Sequence, residues 1–392
     1  MELISELTAS LRRVETHEKV RQLYKYDLLK LPFPLNMLVK TPLAVVQPES
    51  VEEVLRVLKI ARKYRIAVVP RGAATSAYGG AVPIRRSIVV DFTRMKGATV
   101  ESGKLIAESG VVWLDAERLA NTHGYALRIY PTSAPASTVG GWVAQNGYGV
   151  GSLAYGSVAE NVEWVEIADF SGTKRVSGRD LQKYVGACGT TGLILRVCLK
   201  LRENTPIGAE ARFVGIEKAV EMLEGYHAAY FSPVAMERVC GKREETLLIA
   251  REGGESNELG RFLWERRFFP LLAVRDDTVF SEALLPIDTV QDFVAEAEKL
   301  TKLYEVSFAK RDAVVFAAFP AGKYLRALKF LKVAEKHGGR PYGSGLLFPN
   351  QKGLADFKRS VDPLNILNPG KVVEGNAISK LLRLAGLIAW IV

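Results

Sequence analysis

Pro70-Arg71-Gly72-Ala73-Ala74-Thr75-Ser76-Ala77-Tyr78-Gly79-Gly80-Ala81 follows the β-rich run 66–69 and precedes a second one, 88–91. Glycines and small residues there let backbone N–H groups come close to a phosphate, and Arg71, Thr75 and Ser76 add charge and hydroxyl donors. About 60 residues later stands Thr138-Val139-Gly140-Gly141-Trp142-Val143-Ala144-Gln145-Asn146-Gly147-Tyr148-Gly149-Val150-Gly151-Ser152. It is preceded by a loop of small residues from Pro131 to Ser137, and residues 138–145 can form a short helix. Gly140 and Gly141 at its start would present N–H donors to an anion. One glycine-rich loop is weak evidence, but two beside strands suggest one diphosphate gripped from two sides.

The surrounding pattern is that of a layered α+β fold. Residues 43–47, 66–69, 88–91, 126–130, 162–168 and 193–201 read as strands. Ser50-Val51-Glu52-Glu53 reads as a capping box opening a helix, with Val51, Val54, Leu55, Leu58 and Ala61 at helical spacing. After Pro206 the texture changes to longer helical stretches, 217–226, 290–303 and 322–337, with strands expected at 234–240, 246–250 and 314–319. A chain of 392 residues exceeds what one hydrophobic core usually holds. The expected division is an N-terminal helical segment 1–40, a first domain 41–205, a cap domain 206–355, a returning segment 356–376 and an apolar tail 377–392.

Composition narrows the function classes. The chain is 48% hydrophobic and 24% charged, which argues against disorder and a polytopic membrane protein. Its net charge of +10 favours anionic partners. The basic residues are scattered in short pairs with no basic, aromatic-interleaved helix, so nucleic acid is not expected. Cys188, Cys198 and Cys240 are too far apart for a thiolate metal site or iron-sulfur cluster, and the four histidines form no ligand pair, so no metal is expected. No secretory signal is read at the N-terminus, and a cytoplasmic location is expected. Residues 378–392 are mostly apolar but shorter than the ~20 residues of a spanning helix. They suggest peripheral contact with the inner membrane face or with a partner, or a helix packed on its own domain. A nicotinamide fingerprint fails at Gly147-Tyr148-Gly149-Val150-Gly151, which follows a helix and lacks the third glycine at its offset.

Taken together, these motifs resemble the flavoprotein family of the vanillyl-alcohol oxidase type, also called the FAD-binding PCMH fold. The resemblance rests on Val46-Gln47-Pro48-Glu49-Ser50-Val51-Glu52-Glu53-Val54, on the two loops above, on Tyr155-Gly156, and on Gly186 with Gly189-Thr190-Thr191-Gly192-Leu193. Asp362-Pro363-Leu364-Asn365-Ile366-Leu367-Asn368-Pro369-Gly370-Lys371 is similar to the closing segment of the glycolate oxidase and D-lactate dehydrogenase branch. The resemblance implies an α+β fold, with a two-subdomain FAD-binding domain and a smaller α+β cap. It implies FAD contacts from Arg71, Gly72, Ala73, Ala74, Thr75 and Ser76, and from Pro131, Ser137, Thr138, Gly140, Gly141, Ala144, Asn146 and Gly147. Gly189, Thr190 and Ile194 would run along the flavin, and Lys371 would belong to the returning segment. Thr75 aligns with the histidine that carries flavin covalently in some relatives, so non-covalent FAD is expected.

The branch's metal-binding histidine segment in the cap has no counterpart. An FAD-linked oxidoreductase acting on a small anionic 2-hydroxy acid then needs another cation and another base. Gly338-Gly339-Arg340-Pro341-Tyr342-Gly343-Ser344-Gly345 nominates Arg340 and Tyr342 as catalytic, ahead of Arg266, Arg311, Glu237 and His337. With no second redox centre, electrons would leave to a separate acceptor, an iron-sulfur or other electron-accepting protein. The alternative is a flavin-bearing subunit that is active only within a larger redox complex.

Overall fold

The computed structural model describes residues 2–28, 31–268, 278–343, 345–349 and 351–391. Three sheets carry the fold, and the first two build one continuous N-terminal half. In the first, the strands Ala44–Val46, Ser87–Asp91 and Ala67–Arg71 are parallel, with Val14–Glu15 added antiparallel at one edge. The burial of all three residues of Ala44–Val46 and all five of Ser87–Asp91 is what a sheet covered on both faces requires. The helix Val51–Tyr64 covers it, burying Val54, Val57, Leu58, Ile60 and Ala61. Ser50 caps this helix by accepting from Glu53 N at 3.3 Å. The Glu53 carboxylate accepts not from Ser50 but from Glu49 N at 2.8 Å and Arg12 N at 3.1 Å, tying the N-terminal segment to the helix start.

The second sheet is antiparallel, in the order Ala98–Glu101, Lys104–Glu108, Leu193–Glu203, Val162–Asp169, Gly172–Ser177, and Tyr125–Leu127 pairs with the far end of Leu193–Glu203. The third has seven strands in the order Ile207–Phe213, Thr246–Glu252, His227–Phe231, Tyr304–Phe308, Asp312–Pro320, Thr278–Pro286, Arg340–Pro341. Its two ends in sequence lie beyond the turn between Glu203 and Ile207 and before the helix Ala355–Val361.

The cap differs from the sequence expectation in several elements. Residues 234–240 are not a strand but lie in the helix Pro233–Cys240. Ser232 accepts from Ala235 N at 3.3 Å, Pro233 occupies the first turn, and Gly241 closes the helix at φ 75°, so capping outweighs the β-branched composition. The expected helix 217–226 is confined to Ile216–Glu221, and 290–303 gives way after Ala297 to the strand Tyr304–Phe308.

After the cap the chain returns to the first sheet. Val68 N donates to Ile366 O and Asn368 N to Val68 O, both at 2.8 Å, so residues 366–368 run alongside Ala67–Arg71 like a short extra strand. The Asn368 side chain donates to Gly80 O at 2.9 Å and Cys188 O at 2.7 Å, which fixes the first glycine-rich loop against the turn 186–192. The tail helix Ala377–Ile391 lies against the cap helix Tyr324–Lys336, while Ile378 is buried with Val39, Val82 and Leu346, and Leu381 and Leu384 stay exposed. Among the described residues no helix is long and apolar enough to cross a membrane.

Candidate functional site

A cavity of about 660 Å³ opens between the glycine-rich loops and the cap sheet, within the usual size range of small-molecule and cofactor sites. One wall is the loop leaving Ala67–Arg71. All six residues from Arg71 to Ser76 line it, together with Tyr78 and Gly80. Arg71 is held in place: its guanidinium donates to Tyr26 O at 2.8 Å and lies 5.0 Å from the Tyr24 ring centre. Burial pulls the guanidinium pKa down, while Asp27 and Asp91 pull it back up.

The second loop meets the first at close range. Thr138 caps the short helix Val139–Val143 by accepting from Gly141 N at 3.3 Å. A Cβ on Gly72 would stand 2.2 Å from Thr138 Oγ1, so the two loops can approach this closely only with glycine at 72. Pro131, Ser137, Thr138, Gly140, Gly141, Ala144, Gly147, Gly189 and Ile194 all line the cavity. Asn146, Thr190 and Lys371 do not. Asn146 Oδ1 accepts from Ala159 N at 3.2 Å, Thr190 Oγ1 donates to Ala187 O at 2.7 Å, and the Lys371 ammonium donates to Val82 O. Lys371 is buried beside this wall, and burial lowers its pKa to about 7.

This wall fits the diphosphate and polar rim of FAD. Ser137 Oγ and Gln145 Oε1 are buried in it without a hydrogen-bond partner among the described residues, and both residues line the cavity. A group bearing both donors and acceptors would satisfy them. Ala74 sits in the left-handed region at φ 55°, a conformation that costs a residue with a Cβ roughly 1–2 kcal/mol. Replacing it with glycine relieves that strain but adds freedom to the unfolded chain. Ala74→Gly is therefore expected to leave stability unchanged or raise it by up to about 1 kcal/mol with FAD content intact, as thermal unfolding and flavin absorbance would measure.

The opposite wall is the cap. Phe280 and Glu282 from Thr278–Pro286, Val314 and Phe316 from Asp312–Pro320, and Glu305 and Ser307 from Tyr304–Phe308 share the sheet face that lines the cavity. Tyr342 joins them; its hydroxyl accepts from Tyr148 N at 2.8 Å and donates to Tyr148 O at 3.0 Å, bridging the cap to the second loop. Tyr148 OH donates in turn to Asp312 at 2.9 Å.

Arg340 is exposed and absent from the cavity wall. Alternation along Arg340–Pro341 sends Arg340 and Tyr342 to the same side of the chain, but the strand ends at Pro341, and Arg340 turns outward to solvent. Ser344 lies outside the described residues. Of the weaker candidates, His337 Nε2 lies 3.1 Å from Glu296, Glu237 pairs with Arg243 at 3.4 Å, Arg266 stacks on Phe262 at 3.7 Å, and neither they nor Arg311 line the cavity. Among the described wall residues the charged side chains are Asp27, Arg71, Glu282 and Glu305. The two glutamates escaped the sequence reading because an isolated Glu in a strand carries no motif; only the pairing of three strands brings them together.

Known proteins share this design. The FAD binding domain family matches residues 42–177. D-lactate dehydrogenase of Archaeoglobus fulgidus is 32% identical over an alignment covering 84% of this chain and 91% of that protein. Glycolate oxidase subunit GlcD of Bacillus subtilis is 29% identical over 54% of this chain, and the match spans about half of that relative, 47%. In structure, p-cresol methylhydroxylase with substrate bound superposes with a TM-score of 0.75 at 16% identity, covering 95% of this chain and 96% of the other. With a relative this similar over nearly its whole length, and a matching FAD domain around the two loops, the chain belongs to the FAD-binding flavoprotein family of the vanillyl-alcohol oxidase (PCMH) type, in the branch of glycolate oxidase and D-lactate dehydrogenase.

Proposed function

We propose that this protein is an FAD-linked dehydrogenase that oxidises the CH–OH carbon of a small 2-hydroxy acid, of the D-lactate or glycolate type, and hands the electrons to a separate acceptor. The observation that carries the reading is the cavity itself. Its one wall is built of close backbone and small side chains, suited to a diphosphate, and the other offers hydroxyls and carboxyls able to take up a substrate hydroxyl's proton, with no cation among its described residues. FAD, when bound, supplies the acceptor for the two electrons.

Residues 71–76, Pro131, Ser137, Thr138, Gly140, Gly141, Ala144, Gly147, Gly189 and Ile194 are the ones we assign to holding FAD, and Lys371 to stiffening the wall behind it. Without a histidine at Thr75, the flavin is held by contact alone. On the cap side, the rings of Tyr78 and Tyr148 both pack on Tyr342, with centres 6.3 and 6.4 Å away, and would shape the space for the substrate. The apolar surfaces of Phe280, Phe316, Leu328 and Leu331 would exclude water from the reacting carbon.

The test is anaerobic. Holoprotein is mixed separately with D-lactate, glycolate and glycerol, and the oxidised-flavin absorbance is followed. Bleaching by at least one of the two hydroxy acids is the expected result, and no bleaching by either contradicts the substrate class. We assign the electrons to a separate protein acceptor. Exposed Leu381 and Leu384 on the tail helix, with Phe33 and Met37, offer an apolar surface for it.

A further inference from the structure

The cap sheet sets two carboxyl groups on one row of its cavity face. Glu305 stands opposite Phe316 across one strand pair, and Phe316 stands opposite Glu282 across the next. Directly opposed residues point to the same face of a sheet, and all three of these line the cavity. Two strand spacings separate the two glutamates, roughly 10 Å between backbones. A ring between them and a cavity in front leave both carboxyls aimed at the same space.

Glu282 is held more firmly than its partner. Tyr78 OH donates to its Oε2, and its backbone carbonyl accepts from Tyr342 N at 3.0 Å. The Tyr78 ring lies on Gly343, where a Cβ would stand 2.1 Å from the ring atoms, so the backbone there has room for this phenol only as glycine. The groups facing Glu282 are Tyr78 from the first glycine-rich loop, Tyr342 from the segment after Arg340–Pro341, Glu305 from Tyr304–Phe308, and Tyr324, at the start of the cap helix, on the same cavity wall. Arg340 acts on Tyr342 and Tyr148 from outside and pairs with neither glutamate.

Without a cationic partner among the described residues, both carboxyls are shifted toward neutrality. Burial raises Glu282 to about 7, with Tyr78 opposing the rise. Burial, and then the charge of Glu282, raises Glu305 to about 8. Buried carboxyls without a cation weaken a fold, whereas a carboxyl that titrates near neutral pH inside a cavity is what general base catalysis needs.

We propose that Glu282 is the catalytic base of the oxidation, positioned by Tyr78, with Glu305 as the second member of the pair. The assignment rests on the reading of the cavity as an FAD-linked alcohol-oxidising site. In the step, the substrate O–H proton passes to the Glu282 carboxylate and the C–O bond becomes C=O. The C–H hydrogen leaves with its electron pair to the two-electron acceptor, FAD, so the carbon is oxidised and the acceptor reduced. Glu305 keeps its proton while Glu282 is ionised, because two charges facing one cavity repel. The pair therefore divides into a base and a hydrogen-bond donor for the substrate's second oxygen.

The sign of the pH dependence follows. Glu282 works ionised, so flavin reduction should rise as pH increases through about 7. Both carboxyls also load the fold: their stabilising contribution is full below the ordinary carboxylate range and is lost as pH rises through about 7 and about 8.

Anaerobic reduction of wild type and Glu282→Gln by D-lactate and glycolate, at several pH values, tests the assignment. The variant should keep its FAD and its reduction by dithionite, yet lose about 100-fold or more in reduction by substrate and lose the rise with pH. Should Glu282→Gln fail to retain FAD, Glu282→Asp takes its place, and slower reduction at full FAD content is expected. A second readout needs no substrate: infrared difference spectra between acidic and alkaline pH should show a protonated-carboxyl band titrating near neutrality that shrinks in Glu282→Gln and in Glu305→Gln. Equal reduction of variant and wild type, or absence of that band, overturns the role of Glu282 alone. Failure of both hydroxy acids to bleach the wild-type flavin overturns the oxidation reading and this assignment together.

Discussion

Asp362→Ala should be among the most damaging single substitutions in the protein, lowering stability by about 3–5 kcal/mol, the cost of stranding a buried charge. The side chains of Lys358 and Asp362 are 2% and 0% exposed and form an ion pair one helical turn apart. Asp362 also accepts from Ile366 N at 3.0 Å and Leu367 N at 2.7 Å, while Lys358 donates to Leu367 O at 2.7 Å. Removing the carboxylate leaves a buried ammonium and two amide donors short of partners, and burial already pulls the Lys358 pKa down. The damage reaches the cavity wall, because these bonds shape the turn that presents Asn368 to Gly80 O and Cys188 O. Lys358→Met should cost less, since Asp362 keeps both amide donors. Urea unfolding of the two variants, read alongside retained flavin, checks the order; equal and small losses would show that the pair does not anchor the returning segment.

Gly140→Ala is the second large effect, and it should weaken FAD binding sharply. A Cβ at 140 would lie 2.3 Å from Ser109 Oγ and 2.9 Å from Ser109 Cα. Ser109 has nowhere to retreat: its N donates to Leu195 O at 2.9 Å, its O accepts from Gly140 N at 3.0 Å, and its hydroxyl donates to Ile194 O. The helix Val139–Val143 must therefore shift bodily, which misplaces Thr138 and Gly141 on the cavity wall. Overpacking of this kind typically costs about 1–3 kcal/mol, so the variant should still fold while its flavin affinity falls by at least an order of magnitude. Titration of apoprotein with FAD measures this, and wild-type affinity in the variant would mean that the second loop does not contact the cofactor.

How much of this was legible in the sequence depended on the range of the interactions. The two glycine-rich loops announced themselves because close backbone approach leaves a compositional trace, and the closing segment did so through its likeness to the glycolate oxidase and D-lactate dehydrogenase branch. The hairpin of Ala98–Glu101 and Lys104–Glu108 went unread although Ser102 and Gly103, at φ 49° and 71°, carry the two-residue turn signal. In the cap, the run 234–240 reads as a strand from its β-branched residues, and Pro233–Cys240 is instead a helix settled by Ser232 and Gly241 rather than by periodicity. Glu282 and Glu305 lie 23 positions apart in the chain, and only the register of both their strands on Phe316 places them in one cavity. Arg340 was nominated for its charge beside a glycine turn, but side-chain direction is set by the end of the strand, which local sequence did not reveal.

The central claim is that the cavity between the glycine-rich loops and the cap holds FAD by contact alone. Acid precipitation of the purified holoprotein tests it most directly: the supernatant should contain one FAD per chain and the pellet should be colourless. Flavin remaining with the precipitated chain, or a protein that carries and rebinds no flavin, would contradict it.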